Sequence, residues 1–311
     1  FANAFCTPMY SVWVISVVPE DIRGKYFGVK DAFTNISCAV LSYAGGMILV
    51  TYTKAGDQRM GFFGVGILVL VIAIVNIACF FPVREPIVSE QTAKVNLKDV
   101  FLKPFQNERF RPVLVINILY QSSLYLSNAF FAIFQVSRLG LSYEIISLTT
   151  CVNIALRTLL APVWGRIASK YSWFSSTRFS LLALIMSFFV WVFITKEIVL
   201  WMVWVATVIS AIAWGGIGLS LFGLQFDLAP KQNTSIYISC NSAMAGVVGF
   251  LSSLAGSIFI GYTNGFSFRI GFLEICDMQI LFILSTLLGA WCICYIGRLE
   301  KRLKRMKQLE R

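Results

Sequence analysis

Two stretches decide how this chain is read. The first is Val18-Pro19-Glu20-Asp21-Ile22-Arg23-Gly24-Lys25-Tyr26-Phe27-Gly28; the second, far downstream, is Ala229-Pro230-Lys231-Gln232-Asn233-Thr234-Ser235-Ile236-Tyr237. Each is polar, punctuated by proline, and set between two apolar runs. Pro19 and Pro230 stand 211 positions apart. At that offset, without gaps, Tyr26 meets Tyr237, Ala32 meets Ala243, Ser42 meets Ser253, Ala44 meets Ala255 and Gly45 meets Gly256. The spacing predicts one helix–turn–helix unit present twice, and internal repeats of this kind build many membrane carriers.

Outward from these turns the chain is apolar. Its 311 residues are 58% hydrophobic and 13% charged, with a mean hydropathy of +0.76. An average soluble domain carries about 25% charge. The fold class expected is therefore an all-α integral membrane protein, a polytopic helix bundle. Nine apolar runs approach the roughly 20 residues that cross a bilayer: 1–18, 31–51, 61–81, 112–136, 143–166, 174–194, 198–226, 234–262 and 278–297.

A net charge of +11 suggests nucleic acid until its distribution is considered. With the Pro19 turn placed in the cytoplasm, 20 of the 26 Lys and Arg fall on inside segments and five on outside ones; Arg157 lies within a span. That asymmetry is the positive-inside pattern. It makes the lipid bilayer the partner and argues against nucleic acid. The expected location is the plasma or inner membrane, multi-pass, with the Pro19 turn, the central loop and the tail cytoplasmic. Most of the eight cysteines lie inside apolar runs, where they act as small packing residues, and the chain has no His. No metal site, cofactor or disulfide framework is expected. Phe1 opens inside an apolar run with no basic n-region, which reads as a helix already under way and not as a signal peptide.

The proline- and base-rich stretch 82–111 is the natural lobe boundary. Residues 1–81 then form part of an N-terminal lobe, 112–297 a C-terminal lobe and 298–311 a basic tail. Within the boundary, 95–102 reads either as an amphipathic helix along the headgroups or as a solvated linker.

In this arrangement the chain resembles the major facilitator superfamily of secondary transporters, whose twelve helices form two six-helix lobes joined by a cytoplasmic loop. Counted from the tail, the nine spans look like helices four to twelve, so roughly the first three are expected to be missing. The string Trp13, Pro19, Arg23-Gly24-Lys25-Tyr26-Phe27-Gly28 is similar to one in bacterial members. The family's G-x-x-x-D-[RK]-x-G motif has an echo at Gly165-Arg166-Ile167-Ala168-Ser169-Lys170-Tyr171-Ser172, where Gly165 and Lys170 match and Ser169 replaces the acid. The resemblance implies alternating access, with a cytoplasmic gate that includes Gly165 and Lys170. Asp31 and Asp227, at cytoplasmic helix ends, join it. Arg23 could clamp a carboxylate there or serve only as a positive-inside anchor, and Gly24 would let the turn pass close beneath neighbouring helices.

Arg157 is the sharpest candidate for solute contact. A charge well inside a span costs about 2.5–3.5 kcal/mol on insertion scales. It persists as a ligand for an anionic or polar solute, or as a structural Arg reaching the interface. Asn153 lies one turn away on the same face. Asn117, Gln121 and Asn128 form a stripe at helical spacing on the span 112–136. They serve either solute contact or interhelical hydrogen bonding. Asn35 and Asn241 read as gate or packing residues, and the tryptophans as interfacial anchors. No nucleophile elbow, Walker loop or paired membrane carboxylate appears, so an intramembrane enzyme is the weakest reading. A non-transporting receptor or scaffold is the other alternative. The expected partner is a small solute, with solute identity and coupling ion open.

Overall fold

The computed structural model describes residues 23–81, 97–230, 234–263, 266–270 and 273–309. The expected span 1–18, the Pro19–Ile22 part of the first turn and most of the central loop lie outside the described residues. Nine helices are described: α1 (Arg23–Lys54), α2 (Gln58–Phe80), α3 (Leu97–Gln106), α4 (Arg111–Ile133), α5 (Tyr143–Lys170), α6 (Trp173–Val192), α7 (Val199–Leu228), α8 (Thr234–Thr263) and α9 (Asp277–Leu309). All but α3 are long and apolar enough to cross a membrane, and these eight fall on the eight expected spans from 31 onward. The chain is a multi-pass helical membrane protein.

One expectation needs correction. Arg23 to Gly28 were read as part of a turn, yet they are helical and belong to α1. Lys25 favours a helix, Tyr26, Phe27 and Val29 are tolerated in one, and Gly24 and Gly28 cost only about 1 kcal/mol each relative to Ala. A second difference is a short antiparallel hairpin, β1 (Ser267–Ile270) with β2 (Leu273–Cys276), whose register sets Arg269 opposite Glu274.

Helix ends follow local chemistry. Ser142 caps α5 by accepting from the Ile145 amide, Ser172 caps α6 by accepting from Ser175, and Asp57 caps α2 by accepting from Met60. Gly56 (φ +81°) ends α1 and Gly140 (φ +68°) makes the turn before α5, both in the left-handed region that glycine enters without strain. The amphipathic stretch of the central loop is the helix α3, with Phe101, Leu102 and Phe105 exposed.

Helices α4 to α9 pack around two buried clusters. One joins Phe110, Leu114, Phe174, Leu181, Leu224 and Ile296; the other joins Phe130, Phe134, Trp191, Val203, Leu281 and Phe282. Glycines on α7 permit close approach. A Cβ on Gly216 would fall 2.5 Å from the Trp164 ring, and one on Gly223 2.2 Å from that of Trp173. Gln279 ties three elements together, donating to the Val192 carbonyl (2.7 Å) and accepting from the Cys276 amide (2.9 Å). By contrast α2 has no residue buried by the described residues within its most apolar window; Gly61 and Gly64 lie against α1, and the rest of its surface suits lipid or another helix.

Candidate solute site

The site is built on four helices. α4 does not stop at Ile133 but continues as a π-turn, Phe134–Arg138, with the Leu139 amide donating to the Phe134 carbonyl. Such insertions widen a helix and often mark functional positions. Here the π-turn carries Gln135 into a cavity of about 230 Å³ between α4, α5, α6 and α7. That volume is small among ligand sites. Leu124, Leu184 and Phe188 of the first cluster and Trp191 of the second contribute walls, so the cavity lies between the two clusters.

Its polar lining is uncharged: Asn128 and Gln135 on α4, Thr149, Thr150 and Asn153 on α5, Ser187 on α6, and Thr207 and Ser210 on α7. These groups divide by what they have left to offer. The hydroxyls of Thr149 and Thr150 donate to the Ile146 carbonyl, and that of Thr207 to Val203, leaving oxygen lone pairs. Asn153 donates to the Thr207 carbonyl at 3.1 Å, which leaves its oxygen. Asn128, Gln135, Ser187 and Ser210 make no side-chain hydrogen bond with other described residues. The cavity therefore presents donors and acceptors together, flanked by the rings of Phe131, Trp191 and Trp214.

Of the residues singled out from sequence, Asn128 and Asn153 line this cavity, and Arg157, Gln121 and Asn117 do not. Arg157 lies one turn beyond Asn153 and reaches across to α1, where its guanidinium donates to the Asn35 side-chain oxygen. Around it runs a seam between α1 and α5. The Cys151 thiol approaches the Ala39 carbonyl (3.2 Å), Gly46 is buried against Ser147, and Gln58, just beyond α1, donates to the Tyr143 hydroxyl (2.7 Å). Asn117 is buried and donates to the Asn241 carbonyl at 2.8 Å, tying α4 to α8. Gln121 lies seven residues from Asn128 on α4; its side-chain oxygen is buried with no hydrogen-bond partner, as is that of Asn241. An unmet buried acceptor costs about 1–3 kcal/mol, so both stand out.

The expected gate residues gather at the opposite end of the bundle from the π-turn. Gly165 faces Leu219, and Lys170 is exposed with its ammonium 5.5 Å from the Tyr171 ring. Asp227 is exposed at the end of α7, where its backbone carbonyl, not its carboxylate, accepts from Arg109 (3.3 Å). Of Arg23, Gly24 and Asp31, only helical backbone is described. Sequence reasoning passed over Thr149, Thr150, Ser187, Thr207, Ser210 and Trp214; Trp191, expected to be an interfacial anchor, is instead buried and forms part of the cavity wall. The spacing of Thr149, Thr150 and Asn153 on α5, matched by Thr207 and Ser210 on α7, was the available signal.

A model of the Major Facilitator Superfamily matches residues 1–259. No curated protein matches the chain. Among solved structures it is similar to the crystal structure of a bacterial homologue of the iron transporter ferroportin in an outward-facing state. The TM-score is 0.56 and the identity 14%, over 92% of this chain and 66% of that one. At that identity the likeness is one of fold, and the present chain spans 66% of the length of its structural neighbour. Its family follows from the match over residues 1–259: the chain belongs to the major facilitator superfamily.

Proposed function

We propose that the protein carries a small, uncharged solute with several hydrogen-bonding groups across the membrane by alternating access, and that the cavity between α4 and α7 is where the solute sits. The observation that carries this reading is the lining itself. Unengaged amides and hydroxyls stand beside threonine oxygens, with aromatic walls and no charged group. An anion would find no counter-charge there, so the neutral solute is preferred over the anionic one. Gln121, with its unmet oxygen, extends the same face of α4 and is assigned to the solute's path. Arg157 is assigned to the α1–α5 seam as a gating contact with Asn35.

The iron named for the structural neighbour is not transferred. Amides and hydroxyls are poor substitutes for the carboxylates, imidazoles and thiolates that hold transition metals. Transport is preferred over an enzymatic or receptor role because the chain belongs to a superfamily of transporters; the Ser and Thr hydroxyls of the cavity have no carboxylate or imidazole among its lining residues. The cytoplasmic placement of the gate end rests on the distribution of Lys and Arg.

The test is uptake into proteoliposomes from a panel of labelled neutral and anionic solutes of similar size. A neutral polyhydroxylated or amide-bearing solute is expected to accumulate. Asn153→Ala should raise KM about tenfold, the effect of one lost hydrogen bond. Accumulation of anions alone would overturn the assignment.

A further inference from the structure

A second concave site lies at the end of α9, far from the cavity. It is a groove of about 380 Å³ lined by Tyr295, Arg298, Leu299, Lys301, Arg302 and Arg305. The spanning part of α9 ends at Arg302, so the groove straddles the boundary between hydrocarbon and headgroups. Glu300 is turned to Arg178 on α6 (3.4 Å), and among the described residues no carboxylate pairs with the four groove cations. Tyrosine at such a depth keeps its ring in the apolar layer and its hydroxyl in the wet one.

We propose that this groove binds the headgroup of an anionic phospholipid. The phosphate would lie among Arg298, Lys301, Arg302 and Arg305, and the glycerol and first acyl carbons would rest on Tyr295 and Leu299. The positive-inside rule accounts for basic residues beside a span but does not require a concave site with an apolar floor. Phosphate is the shared chemistry of a lipid headgroup and a free anion. The floor, continuous with the hydrocarbon layer, favours the lipid.

Native mass spectrometry on the purified full chain tests this, with phosphatidylglycerol and phosphatidylcholine offered at equal concentration. The chain is expected to retain phosphatidylglycerol at least about tenfold better, and each cation neutralised should weaken retention about fivefold. Arg298→Gln with Lys301→Gln, Arg302→Gln and Arg305→Gln should abolish the preference. The charge-keeping set Arg298→Lys, Arg302→Lys and Arg305→Lys should preserve it, and thermal unfolding of all forms in detergent checks that they are folded. Equal retention of both lipids overturns the proposal, as does a preference that survives the glutamine set in folded protein. Displacement of the lipid by inorganic phosphate at comparable concentration would assign the groove to a free anion, and overturns it equally.

Discussion

Helices α1 and α8 are counterparts at the 211-residue offset, yet they use their small residues differently. On α8, Gly256 lies against α4 so closely that a Cβ would meet the Leu126 carbonyl oxygen at 2.4 Å, and Ser253 donates to the Tyr125 carbonyl. On α1 the aligned Gly45 meets none of the described residues, and its neighbour Gly46 makes the close approach, to the side chain of Ser147. One residue is about 100° of helix rotation. The repeat thus sets where each helix runs, and not which face meets a partner. What is met also differs. At Gly256 α8 abuts main chain, which cannot yield without moving a helix, while at Gly249 it meets the Tyr125 ring. α1 abuts a serine side chain, a thiol and an Arg–Asn hydrogen bond, all of which can reorganise. Packed interfaces switch between discrete arrangements more readily when side chains carry the contact. The α4–α8 contact is accordingly the fixed one in our reading, and the α1–α5 seam the one that slides.

Substitutions probe that difference most strongly at Arg157. Arg157→Ala should abolish uptake while membrane insertion and thermal unfolding stay as in the parent, and Asn35→Ala should act in the same direction. Unchanged uptake in both would remove the pair from the gate. A more moderate effect is expected at the aligned glycines. Gly256→Val should lower stability by about 1–3 kcal/mol, the usual range for overpacking, read as a drop in unfolding temperature in detergent. Gly45→Val, which meets none of the described residues, should change stability by less than about 0.5 kcal/mol. Equal losses at both would mean that the two helices are packed alike. At Gly46 an added Cβ would fall 2.6 Å from the Cβ of Ser147, a clash no rotamer relieves; Gly46→Ala should lower stability by about 1 kcal/mol and slow uptake, and Ser147→Gly should relieve both.

Much of this was legible in the sequence because lipid imposes a simple rule. A spanning helix must be long and apolar, so runs such as 143–166 and 174–194 mark their own places. Gly256 of α8 and the glycines Gly216 and Gly223 of α7 likewise announce close helix contacts. The cavity was only half legible. Asn128 and Asn153 stand out as amides in apolar runs, but Thr149, Thr150 and Thr207 return their hydroxyl protons to the preceding turn and look like neutral helix residues, as the small Ser187 and Ser210 do. The π-turn that brings in Gln135 leaves no composition signal at all. The partner of Arg157 could not be read either, since Asn35 is 122 positions away and comes near only through packing of α1 on α5. The hairpin was missed although Phe266, Phe268 and Ile270 alternate with polar residues, a strand period obscured by its apolar neighbours.

The central claim is that the α1–α5 seam moves during transport and the interior of the α4–α9 bundle does not. Reversible cross-linking tests it most directly. Ala39→Cys can be oxidised onto the native Cys151, whose sulfur already lies 3.2 Å from the Ala39 carbonyl. Ser127→Cys with Ser285→Cys supplies a control inside the bundle, where the two hydroxyls are 3.0 Å apart. Oxidation should halt uptake in the first variant, with recovery on reduction, and leave it intact in the second. Uptake that continues with α1 and α5 covalently joined would contradict the claim.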